Sequence, residues 1–570
     1  MNCRAQHRSV RWGLAVLWLV GLVATCHAAP SQPNILLILA DDLGYSDLGC
    51  YGSEIKTPNL DSLAAHGVRF TQFYNGARCC PSRASLMTGL YPHQAGVGEM
   101  TGDAGPKFPG FRGHLLENTV TLPEVLKSAG YRTFMVGKWH LSPNPGPIRR
   151  GFEEFYGMIG GFNSCWQENP FYTRLPADRT KREYAPGKFY STDVFGDYAL
   201  DFLGTARRTP DQPWFLYLAF NAPHFPLHAP EEEIAKYERI YAQGWDRIRE
   251  QRYRRQLQSG LVDARWPLTP RSNIPPNRFN EQTGWAGKDN PAWDSLDADR
   301  RADLARRMAV FAAMVDRMDQ NIGRVVADLR AHGELENTLI LFLSDNGACA
   351  EWDPYGFDGK SGPDNVLHRG DDLKQVGGSE SYISYGSAWA NACNTPWRLY
   401  KHYGHEGGIS TPLIAHWPKG IPDSRNNQFE RQPGHLIDLM ATCVDLAGAK
   451  YPAESKGQKI QPMEGVSLRP AFEGKPLSRK APLFWEHEGN RAVRDGKWKL
   501  VANGPAGPWE LYDMEADRTE MKDMASQQPD HVKEMAAKWE TWAKRANVLP
   551  WVWKPQYGES ASVAPKGEAK

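Results

Sequence analysis

The sequence predicts an α/β protein with a large, mainly parallel sheet flanked by helices and a smaller antiparallel sheet in a C-terminal subdomain. Continuous apolar runs of strand length recur between residues 33 and 420, and each run ends at a cluster of polar residues. Such runs are typical of strands that are buried on both faces. Stretches with helical spacing lie between them, and alternating strands and helices favour a parallel sheet.

Size and composition exclude several classes of protein. The chain has 570 residues, which is too many for one ordinary single-core domain. Hydrophobic residues make up 41% and charged residues 23%, as in globular rather than disordered or fibrous proteins. The 67 basic and 66 acidic side chains leave a formal charge of +1, without the basic excess of nucleic-acid-binding proteins. We therefore expect no nucleic-acid partner.

Residues 1–28 predict a signal peptide. Three arginines precede the apolar run at residues 12–24, which is too short for an ordinary membrane span. Cleavage fits at Ala28 or Ala29, and the alternatives are an uncleaved anchor or lipidation at Cys26. No later stretch approaches 18 uninterrupted apolar residues. We expect an exported protein, periplasmic or secreted, with no stable membrane span.

Four apolar runs predict the central strands of the large sheet. They cover residues 34–40, 131–136, 214–220 and 338–343, and they lead into polar clusters at residues 41–42, 137–140, 221–224 and 344–347. In open α/β sheets, ligands bind outside the carboxyl ends of the strands. We therefore expect the four polar clusters to form one composite site.

Other patterns predict the remaining organisation. Apolar residues at spacings of three and four predict a helix over residues 303–330. Short alternating segments after residue 470 predict the small sheet, followed by a helix near residues 531–546. The predicted parts are a catalytic domain at residues 33–470 with an insertion at about 231–296, a C-terminal subdomain at 471–550, and a disordered tail at 551–570.

The segment from Cys79 to Gly89 predicts a reactive residue in an anion-binding pocket. Pro81 suits the first turn of a helix and Gly89 suits its end. Cys79 then lies at a helix N-terminus, where free amide groups and the helix dipole favour anions and lower the pKa of a thiol. Arg83, four residues later, lies on about the same helical face and can direct its guanidinium group at the same place.

This segment resembles the modification signature of the type I, formylglycine-dependent sulfatases, which belong to the alkaline phosphatase superfamily. The signature is Cys79-x-Pro81-Ser82-Arg83 followed by Ala84-Ser85-Leu86-Met87-Thr88-Gly89. Further family blocks follow the order of the family, at residues 34–42 with Gly44, 137–140, 222–224, 344–347 and 401–412. The resemblance implies that a maturation enzyme converts Cys79, two residues before Pro81, to formylglycine. Cys80 occupies the variable position of the signature.

A divalent-cation site is also implied by the resemblance. Its ligands are Asp41, Asp42, Asp345, Asn346 and the residue derived from Cys79. Carboxylate and amide oxygens suit calcium or magnesium better than zinc, and we expect Ca²⁺, with Mg²⁺ as the alternative. Three adjacent carboxylates without a cation would repel and raise one another's pKa values, so a bound ion would keep them ionised.

Five further side chains are assigned to the reaction by the resemblance: Arg83, Lys138, His140, His224 and Lys401. In the implied mechanism, a hydroxyl of the hydrated formylglycine attacks the sulfur of a sulfate monoester. Lys138, Lys401 and the cation hold the sulfate oxygens, and Arg83 positions the nucleophile. His140 and Lys138 orient the diol, and His224 protonates the leaving oxygen. Asp345 is the group that accepts the proton of the nucleophile in this mechanism.

The expected function is therefore a sulfuric ester hydrolase that acts on an aryl sulfate or a sulfated carbohydrate. The alternatives are a phosphonate or phosphate monoester hydrolase of the same superfamily and a non-catalytic protein that binds sulfated glycans. Residues 395–410 resemble the bacterial arylsulfatase branch. Candidate sugar-stacking residues are Trp166, Trp285 and Trp293.

The cysteines leave their pairing open. Of the nine, Cys3 and Cys26 lie in the predicted leader, and Cys79 is the precursor of formylglycine. The other six allow fifteen complete pairings, among which the sequence does not choose. These six are Cys50, Cys80, Cys165, Cys349, Cys393 and Cys443.

Overall fold

The computed structural model describes Met1 and residues 32–551. Apart from Met1, the predicted signal peptide lies outside the described residues, as do residues 552–570 of the predicted tail. Within the described part of the chain, no helix is long and apolar enough to cross a membrane.

The strands agree with the predicted fold class. In chain order they are β1 (Asn34–Ala40), β2 (Val68–Tyr74), β3 (Arg132–Lys138), β4 (Glu154–Met158), β5 (Thr173–Leu175), β6 (Trp214–Ala219), β7 (Thr338–Ser344), β8 (Ser410–His416), β9 (Gln428–Glu430), β10 (Gly434–His435), β11 (Glu454–Ser455), β12 (Gln458–Lys459), β13 (Leu483–His487), β14 (Asn490–Asp495), β15 (Trp498–Ala502) and β16 (Glu510–Asp513).

The large sheet has ten strands in the order β10-β2-β8-β7-β1-β6-β3-β4-β5, with β9 also paired to β2. Its centre is parallel, because β1 pairs in parallel with both β6 and β7, and β3 pairs in parallel with β6 and β4. The strand β8 is antiparallel to β7 and to β2. The carboxyl ends of β1, β3, β6 and β7 therefore share one edge of the sheet.

Helices cover both faces of this sheet. In chain order, the α-helices of the described residues are α1 (Pro58–Ala65), α2 (Cys79–Thr88), α3 (Leu122–Ser128), α4 (Ser191–Ala206), α5 (Glu231–Ile234), α6 (Glu238–Tyr241), α7 (Trp245–Ser259), α8 (Asn280–Thr283), α9 (Ala298–Ala331), α10 (Gly370–Gln375), α11 (Gly386–Cys393), α12 (Glu406–Ile409), α13 (Ile437–Ala447), α14 (Arg469–Phe472) and α15 (Pro529–Arg545).

The side chains of β1 show why its sequence is apolar throughout. Leu36 and Ile38 enter the core on the face that α4 and α9 cover, whereas Leu37 and Leu39 enter the core on the face of α2, α3 and α13. All four are buried. Because successive side chains of a strand point to opposite faces, a strand between two helical layers needs apolar residues at every position.

The strand β3 extends two residues beyond the predicted 131–136 segment, to Lys138. Gly137 makes this extension possible. It pairs in register with Ala219 of β6 and has a φ angle of 107°. A Cβ atom on Gly137 would lie 1.8 Å from the carbonyl oxygen of Ala219, so only glycine fits this close approach.

The small sheet is antiparallel, in the order β13-β14-β15-β16, as the sequence predicts. Helix α15 packs on it through Met535, Trp539 and Trp542, which are buried in the same core as Trp485. The sheet also contacts the larger one, since Trp485 Nε1 donates a hydrogen bond to the carbonyl oxygen of Asn75 at 2.8 Å. The predicted domain limits at residues 470 and 550 stay predictions.

None of the seven cysteines in the described residues forms a disulfide. Six of them are buried and Cys50 is half-buried. The possible pairings left open by the sequence are therefore not used in this structure. Burial raises the pKa of Cys393 and Cys443, the latter to about 12, so these thiols are protonated and behave as small apolar side chains.

Candidate active site

The predicted polar clusters meet at the edge of the sheet where the four parallel strands end. Asp41 and Asp42 follow β1, Lys138 ends β3, and His224 and Asp345 follow β6 and β7. The strand β2 has the same direction as β7, so α2 also starts at this edge. Because β8 runs the opposite way, the segment that precedes it brings Lys401 to the same place.

Cys79 is the first residue of α2, and its side chain is buried. The helix ends at Gly89, whose φ of 69° is left-handed, as the sequence predicts. A hydrogen bond from the Cys80 thiol lowers the pKa of Cys79 well below its usual range, and the nearby Lys138 and His140 lower it further. The helix N-terminus therefore holds the one strongly acidified thiol among the described cysteines.

Arg83 ties three of the segments together. Its Nε and Nη2 atoms donate to Asp345 Oδ2 at 3.0 and 2.8 Å, and its Nη1 atom donates to the carbonyl oxygen of Lys138 at 2.7 Å. The side chain is completely buried. Since guanidinium has donors in a fixed planar fork, these bonds set the position of Asp345 relative to Cys79 one helical turn away.

Asp41, Asp42, Asp345 and Asn346 form a buried group of oxygen atoms. Asn346 Nδ2 donates to Asp42 Oδ1 at 2.6 Å, and the backbone amide of Asp42 donates to Asp345 Oδ1 at 3.3 Å. Among the residues described, Asp41 Oδ1 and Asn346 Oδ1 are buried without a hydrogen-bond partner. Buried polar atoms are nearly always paired, so two orphaned oxygens beside two more carboxylates fit a hard divalent cation.

The pKa values support the same interpretation. Burial and then the charge of Asp345 raise the pKa of Asp41 well above its usual range, and burial also raises the pKa of Asp345. Burial opposes ionisation of Asp42 too, but His224 and Lys401 outweigh it and lower the pKa of this carboxyl. Two carboxylates thus lack enough positive charge from the protein, which a cation would supply.

Two lysines and a histidine surround these carboxylates. Lys138 Nζ donates to Asp41 Oδ2 at 2.5 Å, and Lys401 Nζ donates to Asp42 Oδ2 at 2.9 Å. His224 Nε2 lies 3.4 Å from Asp42 Oδ2. Burial lowers the pKa of His224 to about 3, so its ring is neutral at pH 7 in the unliganded protein.

His140 lies against the thiol of Cys79, close enough for its ring to share a small group of potential ligand atoms with Cys79 and Cys80. Its backbone has a φ of 53°. Burial lowers the pKa of His140 to about 4, so this ring is also neutral at pH 7. A Cβ atom on Gly161 would lie 2.6 Å from His140 Nε2, which indicates how closely this loop packs on the ring.

A cavity of about 300 Å³ exposes part of this site. Cys79, His140 and His224 line it, together with ten residues that are not among the predicted site residues. These are Arg78, Met100, Gly161, Phe162, Phe225, Arg278, Phe279, Glu351, Trp352 and Ser361. A concave site with convergent polar groups and shifted pKa values is the usual form of an active site.

The structure brings all ten sequence-selected site residues into one network at this edge. Among the residues missed, Glu351 lies 3.5 Å from Lys401 and 3.7 Å from Arg78. Two signals were available, because Arg78 directly precedes Cys79 and Glu351 lies in the segment that follows Asn346. The aromatic wall formed by Phe162, Phe279 and Trp352 had no such signal.

The prediction that Trp293 stacks on a sugar is wrong. Trp293 is 4% exposed and packs its ring against Trp245 and Trp389, so no ligand reaches it. Trp166 and Trp285 do not line the cavity, whereas Trp352 does. The sequence alone does not show which tryptophans are buried in a core and which face a binding site.

Comparison with known proteins shows that the chain is similar to sulfatases. The sulfatase family model matches residues 33–449, and the model described as N-sulphoglucosamine sulphohydrolase, C-terminal, matches residues 397–544. The chain is 35% identical to an uncharacterized sulfatase of Schizosaccharomyces pombe, over 92% of this chain and 95% of that protein. It is 34% identical to an arylsulfatase of Klebsiella aerogenes, over 81% of this chain and 97% of that one.

A solved structure is also similar to this chain. The crystal structure of Ps i-CgsB in complex with k-i-k-neocarrahexaose aligns with a TM-score of 0.63 and 25% identity, and the alignment covers 91% of this chain and 98% of that chain.

Proposed function

The chain belongs to the sulfatase family, as a type I member of the alkaline phosphatase superfamily and an enzyme that hydrolyses sulfate esters, and we propose that it uses a formylglycine derived from Cys79 and a bound Ca²⁺ to cleave sulfated carbohydrates. The observation that carries this proposal is the position of Cys79. It lies at the N-terminus of α2, at the wall of the cavity and one turn from Arg83, which holds Asp345. A maturation enzyme is then a required partner.

Asp41, Asp42, Asp345 and Asn346 would hold the cation, with the modified residue 79 as a further ligand. Calcium suits these ligands because it accepts six to eight oxygen atoms in flexible geometry. When bound, the cation and the formylglycine hydrate supply a polarised hydroxyl group as the nucleophile. Magnesium is the alternative ion.

Two lysine side chains of the protein, Lys138 and Lys401, bind the ester. Lys138 pairs with Asp41, and Lys401 pairs with Asp42 and Glu351, which orients both ammonium groups before the substrate arrives. Nearby Asp42 and Glu351 overcome the effect of burial and raise the pKa of Lys401 well above its usual range, so it stays charged. Preorganised charges of this kind stabilise the charge that moves during sulfuryl transfer.

The two histidines act at different atoms of the reaction: His224 at the leaving oxygen and His140 at the nucleophile. His224 lines the cavity, and its Nδ1 atom lies 2.5 Å from the carbonyl oxygen of Phe225, which fixes the ring so that Nε2 faces Asp42 and the cavity. A bound sulfate ester adds negative charge beside this ring and favours its protonated form, which can donate to the leaving oxygen. His140 contacts the nucleophilic position and orients it.

The substrate class is supported by two features. Ps i-CgsB was solved with k-i-k-neocarrahexaose, and the cavity wall here includes Phe162, Phe279 and Trp352, whose rings suit the apolar faces of sugars. The alternatives of a phosphate or phosphonate monoester hydrolase and of a non-catalytic glycan-binding protein are not favoured, because the matching family model is that of sulfatases and the chain is similar to arylsulfatases.

Mass spectrometry and kinetics test the nucleophile. The peptide that contains residue 79 from active enzyme should have lost sulfur and two hydrogens and gained one oxygen, the change from thiol to aldehyde. Cys79→Ala should abolish hydrolysis of 4-nitrophenyl sulfate, and the control Cys443→Ala, at a buried thiol of α13 that does not line the cavity, should keep it. Active enzyme that carries only thiol at position 79 would refute the proposal.

We further propose that the protein is exported to the periplasm or beyond. This rests on the arginines and the apolar run of residues 1–28. N-terminal sequencing of the mature protein should begin just after Ala28 or Ala29.

A further inference from the structure

An arginine lies at the mouth of the active-site cavity without a carboxylate partner. Arg278 lines the cavity together with Cys79, His140 and His224, and its side chain is exposed. The residue precedes α8, in the stretch at about residues 231–296 that the sequence predicts to be an insertion. Its guanidinium carbon lies 4.5 Å from the centroid of the Phe279 ring, which holds it by a cation–π contact.

The other cations of the site are already balanced. Arg83 pairs with Asp345, Lys138 with Asp41, Lys401 with Asp42, and Arg78 with Glu351, all at 4.0 Å or less. For Arg278, no carboxylate among residues 32–551 lies within that distance, so its charge is available to a ligand that enters the cavity. An uncompensated cation beside a concave site favours an anionic ligand.

Beside Arg278 lies an aromatic surface. The Phe279 ring packs on Trp352 with centroids 4.5 Å apart and planes 31° apart. Phe162, which is 43% exposed, stacks on the His224 ring at 5.6 Å and 14°. Both surfaces line the same cavity as Arg278, so a sugar ring whose ester lies beside His224 can pack on apolar walls there.

We propose that Arg278 forms a subsite for a second anionic group, a sulfate or a carboxylate, on the sugar next to the one whose ester is cleaved. Guanidinium binds both groups through two parallel hydrogen bonds, and the rigid fork favours oxygen pairs over hydroxyl groups. The subsite gives preference to polyanionic glycans over isolated sulfate esters. This inference rests on the proposed function and adds the charge pattern of the substrate.

Steady-state kinetics with matched substrates test the subsite. The substrates are 4-nitrophenyl sulfate, a monosulfated neutral disaccharide, the same disaccharide with a second sulfate, and a monosulfated disaccharide with a uronic acid. Arg278→Ala should raise KM about 10- to 100-fold for the two dianionic substrates, the effect of losing a charge-assisted hydrogen-bond pair. The values of kcat/KM for the two monoanionic substrates should change by less than about twofold.

Two further variants make the result specific. Arg278→Lys keeps the charge but not the fork, so it should recover part of the lost affinity. Arg265→Ala, an exposed arginine of the same stretch that lines a different groove, should behave as wild type. Equal effects of Arg278→Ala on all four substrates, or no effect, would refute the subsite. An effect confined to the second sulfate or to the uronate identifies which anion it takes.

A binding measurement separates this inference from the proposed function. Calorimetric titration of the disulfated disaccharide into Cys79→Ala protein needs no catalysis. The double variant Cys79→Ala/Arg278→Ala should bind it about 10- to 100-fold more weakly. If wild type hydrolyses no sulfate ester, the proposed function fails, while unchanged binding between these two proteins overturns the subsite alone.

Discussion

Arg83 illustrates how one residue organises the site. Its guanidinium group donates three hydrogen bonds, two to Asp345 and one to the backbone of Lys138, and it lies 3.9 Å from Asp41. It is therefore a link between the end of β3, the end of β7 and the helix that carries Cys79. A residue of this kind affects geometry and charge together, because it neutralises a carboxylate while fixing its place.

We expect Arg83→Lys to lower kcat by about 100-fold or more. Lysine keeps the charge but cannot donate to Asp345 and to the Lys138 carbonyl at once, so the end of β3 loses its fixed position. The exposed Arg149→Lys serves as the control. Kinetics on 4-nitrophenyl sulfate and a thermal melt measure the outcome, and a folded Arg83→Lys enzyme with full kcat would contradict it.

Removal of the proposed cation should affect stability as well as activity. Dialysis against EGTA leaves the carboxylates of Asp41 and Asp345 without sufficient counter-charge, so the melting temperature should fall. A ligand present at 100 times its Kd stabilises the native state by about 2.7 kcal/mol. Added Ca²⁺ should restore both properties more fully than Mg²⁺, as followed by calorimetry and activity. A melting temperature insensitive to EGTA and to EDTA would argue against the site.

At the scale of elements, buried ion pairs attach the small sheet to the large one. Glu406 of α12 accepts hydrogen bonds from Lys499 of β15 and from Arg518, each at 2.9 Å, and all three are buried. Since α12 lies between Lys401 and β8, these pairs also fix the segment that carries Lys401. Glu406 matches a family position, and in this structure its role is to position that segment.

Glu406→Gln should destabilise the protein at neutral pH but not in acid. Burial opposes its ionisation, but Lys499 and Arg518 outweigh it and lower the pKa of Glu406 from 4.5 to about 2. A folded-state pKa below the unfolded one gives stability that is present above pH 4.5 and lost as the pH falls towards 2. The contribution is about 3 kcal/mol.

The measurement is the difference in unfolding midpoint between Glu406→Gln and wild type from pH 7 to pH 3. It should shrink as the pH falls through this window. Glu534→Gln, whose carboxylate is exposed on α15 and pairs with Lys538, provides a control with little change at any pH. A difference independent of pH would show that the charge of Glu406 does not contribute.

At the scale of the whole molecule, the small sheet supports both sides of the active site. Trp485 bonds to the backbone of Asn75 ahead of α2, and Asn490 Nδ2 donates to the carbonyl oxygen of His402, next to Lys401, at 3.0 Å. Arg518 Nη1 donates to the carbonyl oxygen of Thr71 at 2.6 Å. The predicted C-terminal subdomain therefore helps to position the catalytic segments.

Stability should depend on packing and ion pairs rather than on disulfides. The described residues contain seven cysteines. Conversion of Cys79 to formylglycine leaves six thiols in the mature chain that lacks residues 1–28. Titration with Ellman's reagent in guanidinium chloride should give six thiols for each molecule. Reducing agent should leave the melting temperature unchanged. A count lower by two, with a melting temperature that falls on reduction, would indicate a disulfide.

Local patterns in the sequence predicted most of the fold and the centre of the site. The apolar runs of β1, β6 and β7 differ from the predicted strands by at most one residue, because burial on both faces demands a continuous apolar run. The helix from Cys79 to Gly89 was predictable for a similar reason, since its start and end depend on neighbouring residues. The parallel strands then bring the polar clusters to one edge.

The sequence by itself thus determined the fold class, the position of Cys79 and the group of Asp41, Asp42, Asp345 and Asn346. Only the tertiary structure decided that Lys401 pairs with Asp42, 359 residues away. It alone decided that Arg278 faces the cavity and that Trp293 is buried. Contacts between distant segments depend on the path of the whole chain, and no local periodicity encodes them.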